Sequence, residues 1–150
     1  MPHFYTIQDV LTFAIRLEQA AQEFYRRLSS QSDSPSVARF LAELVREEKH
    51  HEQQLEKLLS ESGGIPNQRI SADQIDAYIQ AIRIPASLDY KEAVKLAMDK
   101  ENAARMLYAV IAKVTEEPIL RDVFMQLCEQ EKKHQEYFEK EYRRICISEN

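Results

Sequence analysis

The chain repeats itself once, without a gap, at an offset of 83 residues: Glu18 falls on Glu101, Glu48 on Glu131 and His51 on His134. "AIRLEQAAQEFY" (14–25) aligns with "AMDKENAARMLY" (97–108), sharing Ala, Glu, Ala-Ala and the closing Tyr. Pro35 falls on Pro118, and "LVREEKHH" (44–51) on "LCEQEKKH" (127–134). Each half therefore carries one Glu in its first segment and one Glu-x-x-His in its second. Within "REEKHH" (46–51) that pattern occurs twice, as Glu47/His50 and as Glu48/His51. Glu47 maps onto Gln130 and His50 onto Lys133, so the repeat keeps the second pair and discards the first.

Helical phase selects the same pair. Steps of three and four collect Ile7, Leu11, Ala14, Glu18, Ala21, Tyr25 and Leu28 on one face of a first helix. The second helix gives Val37, Leu41, Leu44, Glu48, His51, Leu55 and Leu58. The third gives Tyr90, Val94, Ala97, Glu101, Ala104, Tyr108 and Ile111, and the fourth Leu120, Phe124, Leu127, Glu131, His134 and Phe138. Every apolar stripe carries one glutamate near its middle, and two add a histidine three residues on. The neighbouring stripe with Glu43, Glu47, His50 and Gln54 is polar and reads as a solvated face.

The boundaries follow from capping chemistry. "TIQD" at Thr6 opens the first helix with a capping box in which Asp replaces Glu, and the helix runs to about Leu28. Ser34 caps the second, with Pro35 at its first position. It ends at "SESGG", where Gly63 or Gly64 is suited to the left-handed closing conformation. A short amphipathic helix follows Ser71 in "SADQIDAYIQAI" and stops at Pro85. "DYKE" caps the third long helix, which reaches about Thr115; the fourth spans about Pro118 to Ile145. Four helices of about 25 residues are each roughly 35–40 Å long. The expected fold is all-α: a ferritin-like four-helix bundle with a long crossover between helices 2 and 3 that carries a short extra helix. One domain covers residues 1–150. A domain-swapped dimer would give the same pattern.

Composition narrows the classes. A net charge of −5 argues against nucleic acid as a partner. No apolar run approaches the roughly 18 residues of a membrane span. "MPHFYTIQDV" shows no secretory pattern, which points to a cytoplasmic protein. Cys128 and Cys146 make no C-x-x-C, and on one helix they lie too far apart for a disulfide. His3 reads as a terminal residue, and Met98, Met106 and Met125 as core filler.

Four inward carboxylates are costly, because each buried unpaired charge costs several kcal/mol and like charges add to it. No Lys or Arg stands at an inward position to offset them. Two divalent cations cancel four carboxylates and leave both histidines as neutral ligands. One Glu from each of two helices plus Glu-x-x-His from each of two others is the donor set of di-iron and di-manganese bundles. The expected metal ligands are Glu18, Glu48, His51, Glu101, Glu131 and His134, with Glu48 and Glu131 bridging and Glu18 and Glu101 terminal. Tyr25 and Tyr108 are candidates to hydrogen-bond a ligand carboxylate across the bundle; plain core packing accounts for them equally well. A single Glu-x-x-His match arises by chance at a rate of roughly one half in a chain like this. Two at symmetric positions, each answered by an inward Glu, are much harder to obtain.

"LEQAAQEFY", "EEKHHEQQLEKL", "KENAARMLY" and "EQEKKHQEYFEKEY" resemble the four helix motifs of the rubrerythrin-like branch of the ferritin-like superfamily, over about residues 6–145. The resemblance implies two iron ions, with manganese or zinc possible, and reaction with hydrogen peroxide or dioxygen. Two departures stand out. The paired C-x-x-C motifs of a rubredoxin-type domain do not occur in these residues, so a separate electron donor protein is expected. The additional glutamate typical of the family's third helix is missing, Met98 and Ala104 standing three residues either side of Glu101.

The leading expectation is thus a di-iron oxidoreductase. The alternatives are iron storage or handling, in which the site oxidises Fe(II) for a cage or compartment, and a non-redox helical interaction module stabilised by Zn or Mn. Bundles of this kind often form a homodimer or larger homo-oligomer. Phe4, Tyr5 and Phe40 are aromatics suited to such an interface, or equally to the core.

Overall fold

A computed structural model describes residues 3–65, 68–76 and 88–148. Four long helices dominate it: α1 (Ile7–Gln31), α2 (Pro35–Glu61), α3 (Tyr90–Val114) and α4 (Pro118–Ser148). The capping signals operate as expected. Thr6 and Asp9 exchange side-chain-to-backbone hydrogen bonds at the start of α1, and Asp89 and Glu92 do the same for α3. The Ser34 hydroxyl accepts from the Val37 amide, satisfying a donor that has no partner within α2. Both α1 and α4 run three residues beyond the expected ends, Leu28 and Ile145.

The helices pair antiparallel through short links, α1 with α2 and α3 with α4, and these two pairs hold most of the interhelical contacts. The buried side chains show how the pairs stack. One apolar cluster takes Ile7, Leu11 and Ala14 from the start of α1, Leu55 from the end of α2, Tyr108 and Ile111 from the end of α3, and Phe124 and Leu127 from the start of α4. The other joins the opposite ends, including Leu28, Leu41, Val94 and Phe138. Helices α2 and α3 are therefore parallel, and the end of α2 and the start of α3 lie at opposite ends of the bundle. This is the ferritin-like arrangement with its long crossover. Within the crossover, residues 62–64 and 72–74 form single 3-10 turns, and most of the expected short helix lies outside the described residues.

Three details differ from expectation. Neither Gly63 nor Gly64 is left-handed; α2 closes through Ser62, whose conformation is right-handed and which leads into a 3-10 turn. A two-residue strand β1 (Phe4–Tyr5) pairs antiparallel with β2 (Ile70–Ser71), a pairing too short to leave a periodic signal. Met106 and Met125 are exposed rather than core filler, because they sit two residues before Tyr108 and one after Phe124, off the apolar stripes. Met98 is half-buried against the second cluster. Of the aromatics considered for an interface, Phe40 stacks on Tyr137 at a 3.5 Å centroid distance, and Phe4 lies under the Arg69 guanidinium. Cys128 and Cys146 form no disulfide among the described residues. No helix among the described residues is long and apolar enough to cross a membrane.

Candidate metal centre

The two apolar clusters are separated by a layer of charge. Glu18, Glu48, Glu101 and Glu131 are each at most 2 % exposed, and His51 and His134 are buried with them. All six residues expected as ligands therefore converge. Glu18, Glu48, His51 and Glu131 can each offer one atom such that all four lie within 4.8 Å of one another; Glu48, Glu101, Glu131 and His134 do the same. Glu48 and Glu131 belong to both groups, Glu18 and Glu101 to one each. The His51 Nδ1 lies 3.6 Å from Glu18, 3.7 Å from Glu48 and 3.6 Å from Glu131. His134 Nδ1 lies 3.1 Å from Glu48, 3.5 Å from Glu101 and 3.7 Å from Glu131. The 83-residue repeat is thus realised as a local two-fold.

The donor chemistry fits a pair of divalent cations. Each of the six residues has one buried atom with no hydrogen-bond partner: an oxygen on each glutamate and Nδ1 on each histidine. Buried polar groups are normally satisfied. Here the unsatisfied atoms are those that face one another across the layer.

Without cations, protons balance the charge. Burial, reinforced by the neighbouring Glu48 carboxylate, pushes the Glu18 carboxyl well above the usual range, and burial with the Glu131 charge does the same to Glu101. Burial alone would raise Glu48 and Glu131 too. The adjacent Glu18 carboxyl and both histidines outweigh it for Glu48, and the Glu101 carboxyl and both histidines for Glu131, so these two are held below the usual range. The histidines gain more from the surrounding carboxylates than burial costs them; His51 is pushed up to about 12, and His134 is raised likewise. Two imidazolium cations then face two carboxylates, and the layer is neutral.

A second ring of contacts fixes the ligand orientations. Tyr108 of α3 donates its hydroxyl to Glu18 Oε1 at 2.6 Å, and Tyr25 of α1 donates to Glu101. Both tyrosines are fully buried, so the hydrogen-bonding reading of these residues holds alongside the packing one. Two further contacts went unread in the sequence. The Nε2–H of His134 donates to Glu47 Oε2 at 2.7 Å, and that of His51 donates to Gln130 Oε1. Glu47 has a largely exposed side chain, as its polar stripe implied, but its carboxylate curls back onto the layer; His50 is exposed. The signal was present, since Glu47 and Gln130 are repeat equivalents. One helical turn further on, Glu52 accepts from Gln19, Gln22 and Lys49, tying α1 to α2, while Arg105 reaches Gln135 between α3 and α4.

On the side of the layer away from the histidine rings lies a cavity of about 30 Å³, lined by all four glutamates, both tyrosines and small residues that include Ala21 and Ala104. That is room for one or two water-sized molecules. Lys100 also lines it, burial pulling its ammonium down to about 8.

Comparison with known proteins agrees with this architecture. The rubrerythrin family model matches residues 9–142. A paired-glutamate, paired Glu-x-x-His layer inside a ferritin-like bundle defines the class, and the chain belongs to the rubrerythrin family. Among solved structures, a hypothetical protein from Pyrococcus furiosus is similar in fold, with a TM-score of 0.71 and 20 % identity over 91 % of this chain and 87 % of that one. No curated protein matches the chain significantly.

Proposed function

We propose that the chain holds two iron ions in its carboxylate–histidine layer and uses them to reduce hydrogen peroxide or dioxygen. The observation that carries this reading is the set of six buried donor atoms, one on each of Glu18, Glu48, His51, Glu101, Glu131 and His134, that have no hydrogen-bond partner and face one another. Glu48 and Glu131, which belong to both donor groups, would be shared by the two ions, while Glu18 with His51 and Glu101 with His134 would each serve one. Manganese and zinc suit the same donors, and iron is preferred because the chain is a rubrerythrin family member. Bound iron supplies electrons and a coordination position for the oxidant.

The remaining roles fall to the chain. Tyr25 and Tyr108 orient the terminal carboxylates, so that these residues meet the ions without a search through rotamers. The cavity beside the glutamates limits the reactant to something as small as peroxide or dioxygen. Ala20, Ala21, Ala103 and Ala104 form an apolar part of its wall. Electrons return from a separate donor protein, and residues 1–150 work as one domain.

The test is rapid mixing of anaerobic di-Fe(II) protein with hydrogen peroxide and, separately, with dioxygen. Oxidation much faster than that of free Fe(II) is expected, and only if both irons are in place. Oxidation no faster than for free iron, at full loading, rejects a redox role and leaves the ions structural.

A further inference from the structure

The two metal positions share their ligands and their tyrosines, but the residues behind their histidines differ. Across the 83-residue repeat Glu18/Glu101, Glu48/Glu131, His51/His134 and Tyr25/Tyr108 are conserved within the chain, each with the same partners. Glu47 and Gln130 are also equivalent, and each accepts the Nε2–H of the histidine on the opposing helix: Glu47 of α2 from His134, Gln130 of α4 from His51. Both contacts hold the imidazole in the tautomer that leaves Nδ1 free to face the carboxylates. Their chemistry differs, because one acceptor is a carboxylate and the other an amide.

The geometry points to an ordered centre: Glu47 and Gln130 are positioning residues that make the position formed by Glu48, Glu101, Glu131 and His134 the resident one, and the position formed by Glu18, Glu48, His51 and Glu131 the exchangeable one. This inference rests on the dinuclear reading above. A carboxylate behind a ligating histidine makes the ring a better donor and places a negative charge one ring away from the cation. Outer contacts of this kind alter metal affinity by about 10–100-fold. The Glu47 side chain is 59 % exposed, and solvent screening puts the effect near the lower end, about tenfold. A neutral amide acceptor does less. The repeat also breaks at Glu52 against Gln135 and Gln22 against Arg105, one turn away, and at Lys100, which stands where the repeat has Leu17 and whose charge opposes a cation beside Glu101. Lys100 lines the cavity face, whereas Glu47 bonds a ligand directly.

Stepwise affinities alone cannot test this, since two like sites that share bridging ligands also bind their second ion more weakly. The position of the first ion can. Metal-free full-length protein is given half an equivalent of Co(II) and the ion is located by anomalous diffraction, in wild type and in E47Q, Q130E and E47Q/Q130E. Both residues are exposed, and the double swap preserves net charge and leaves Lys100 unchanged. Wild type should place the ion beside His134 by about tenfold over His51. E47Q and Q130E should each level the two positions, and the double swap should move the ion beside His51. Even occupancy in wild type, or an unmoved ion in the double swap, overturns the ordering while leaving a dinuclear site intact. Failure to bind any Co(II) at two equivalents overturns the dinuclear reading, and the ordering with it.

Discussion

Tyr108 on α3 and Glu18 on α1 meet across the bundle at 2.6 Å, and the repeat returns the contact as Tyr25 on α1 with Glu101 on α3. Each carboxylate thereby has one oxygen held by a phenol and one left facing the layer. This divides the work within each glutamate: one oxygen fixes orientation, the other is free to ligate.

Tyr108→Phe therefore leaves a buried Glu18 oxygen without its donor. The expected cost is about 1–3 kcal/mol in the metal-free protein and about tenfold or more in metal affinity. Denaturant unfolding and metal titration of the variant check both. A variant as stable and as tightly loaded as wild type would show that the phenol only fills space.

Metal uptake is expected to expel protons. At neutral pH the metal-free layer carries a proton on each of His51 and His134, and the Glu18 and Glu101 carboxyls, raised by burial, hold theirs to higher pH than free carboxyls do. Two divalent cations replace these protons, so at least the two histidine protons leave per pair of ions, and apparent affinity climbs with pH. Calorimetry in buffers of different ionisation enthalpy counts the protons directly. A release near zero contradicts the charge balance.

The same values fix a pH trend for metal-free stability. A histidine raised in the fold contributes stability that is fully present below its unfolded value near 6.5 and is lost as pH rises towards its folded value, about 12 for His51. Glu18 and Glu101, also raised, act in the same direction from their own lower starting point. Metal-free protein should thus lose stability between about pH 7 and 10, and metal-loaded protein should not. Thermal unfolding of both forms across that window distinguishes them.

The fold was legible because its signals are redundant. Capping boxes at Thr6 and Asp89, Pro at the first turn of α2, and four stripes in phase all gave the same helices. The six buried Glu and His residues were legible for a different reason, since a charged residue on an apolar stripe demands compensation. Glu47 escaped because helical phase reports where a Cα points, while a long side chain at the edge of a face can turn back to a buried group. Glu52 and Gln22 were missed on similar grounds: they are buried between α1 and α2, off the central stripe. The strand pairing of β1 with β2 involves two residues a side, and Gly63 and Gly64 proved unnecessary for a turn that Ser62 makes in the right-handed region.

Narrowing the cavity separates loading from reaction. Ala104 is not one of the six candidate ligands, and Ala104→Leu places a larger side chain in the wall of a 30 Å³ space. Metal stoichiometry should be retained while oxidation by peroxide slows by about tenfold or more, because the reactant is displaced from its approach. An unchanged rate with full loading would place the approach elsewhere.

The central claim is that Glu48 with His51, and not Glu47 with His50, belongs to a dinuclear ligand set, and anaerobic Fe(II) titration of the metal-free chain tests it most directly. Wild type should bind two Fe(II) per chain. Glu48→Ala/His51→Ala removes a bridging and a terminal ligand and should abolish that binding, whereas Glu47→Ala/His50→Ala should keep both ions with one held more weakly. Wild type that binds no iron, or a Glu48→Ala/His51→Ala variant that still binds two, would contradict the account.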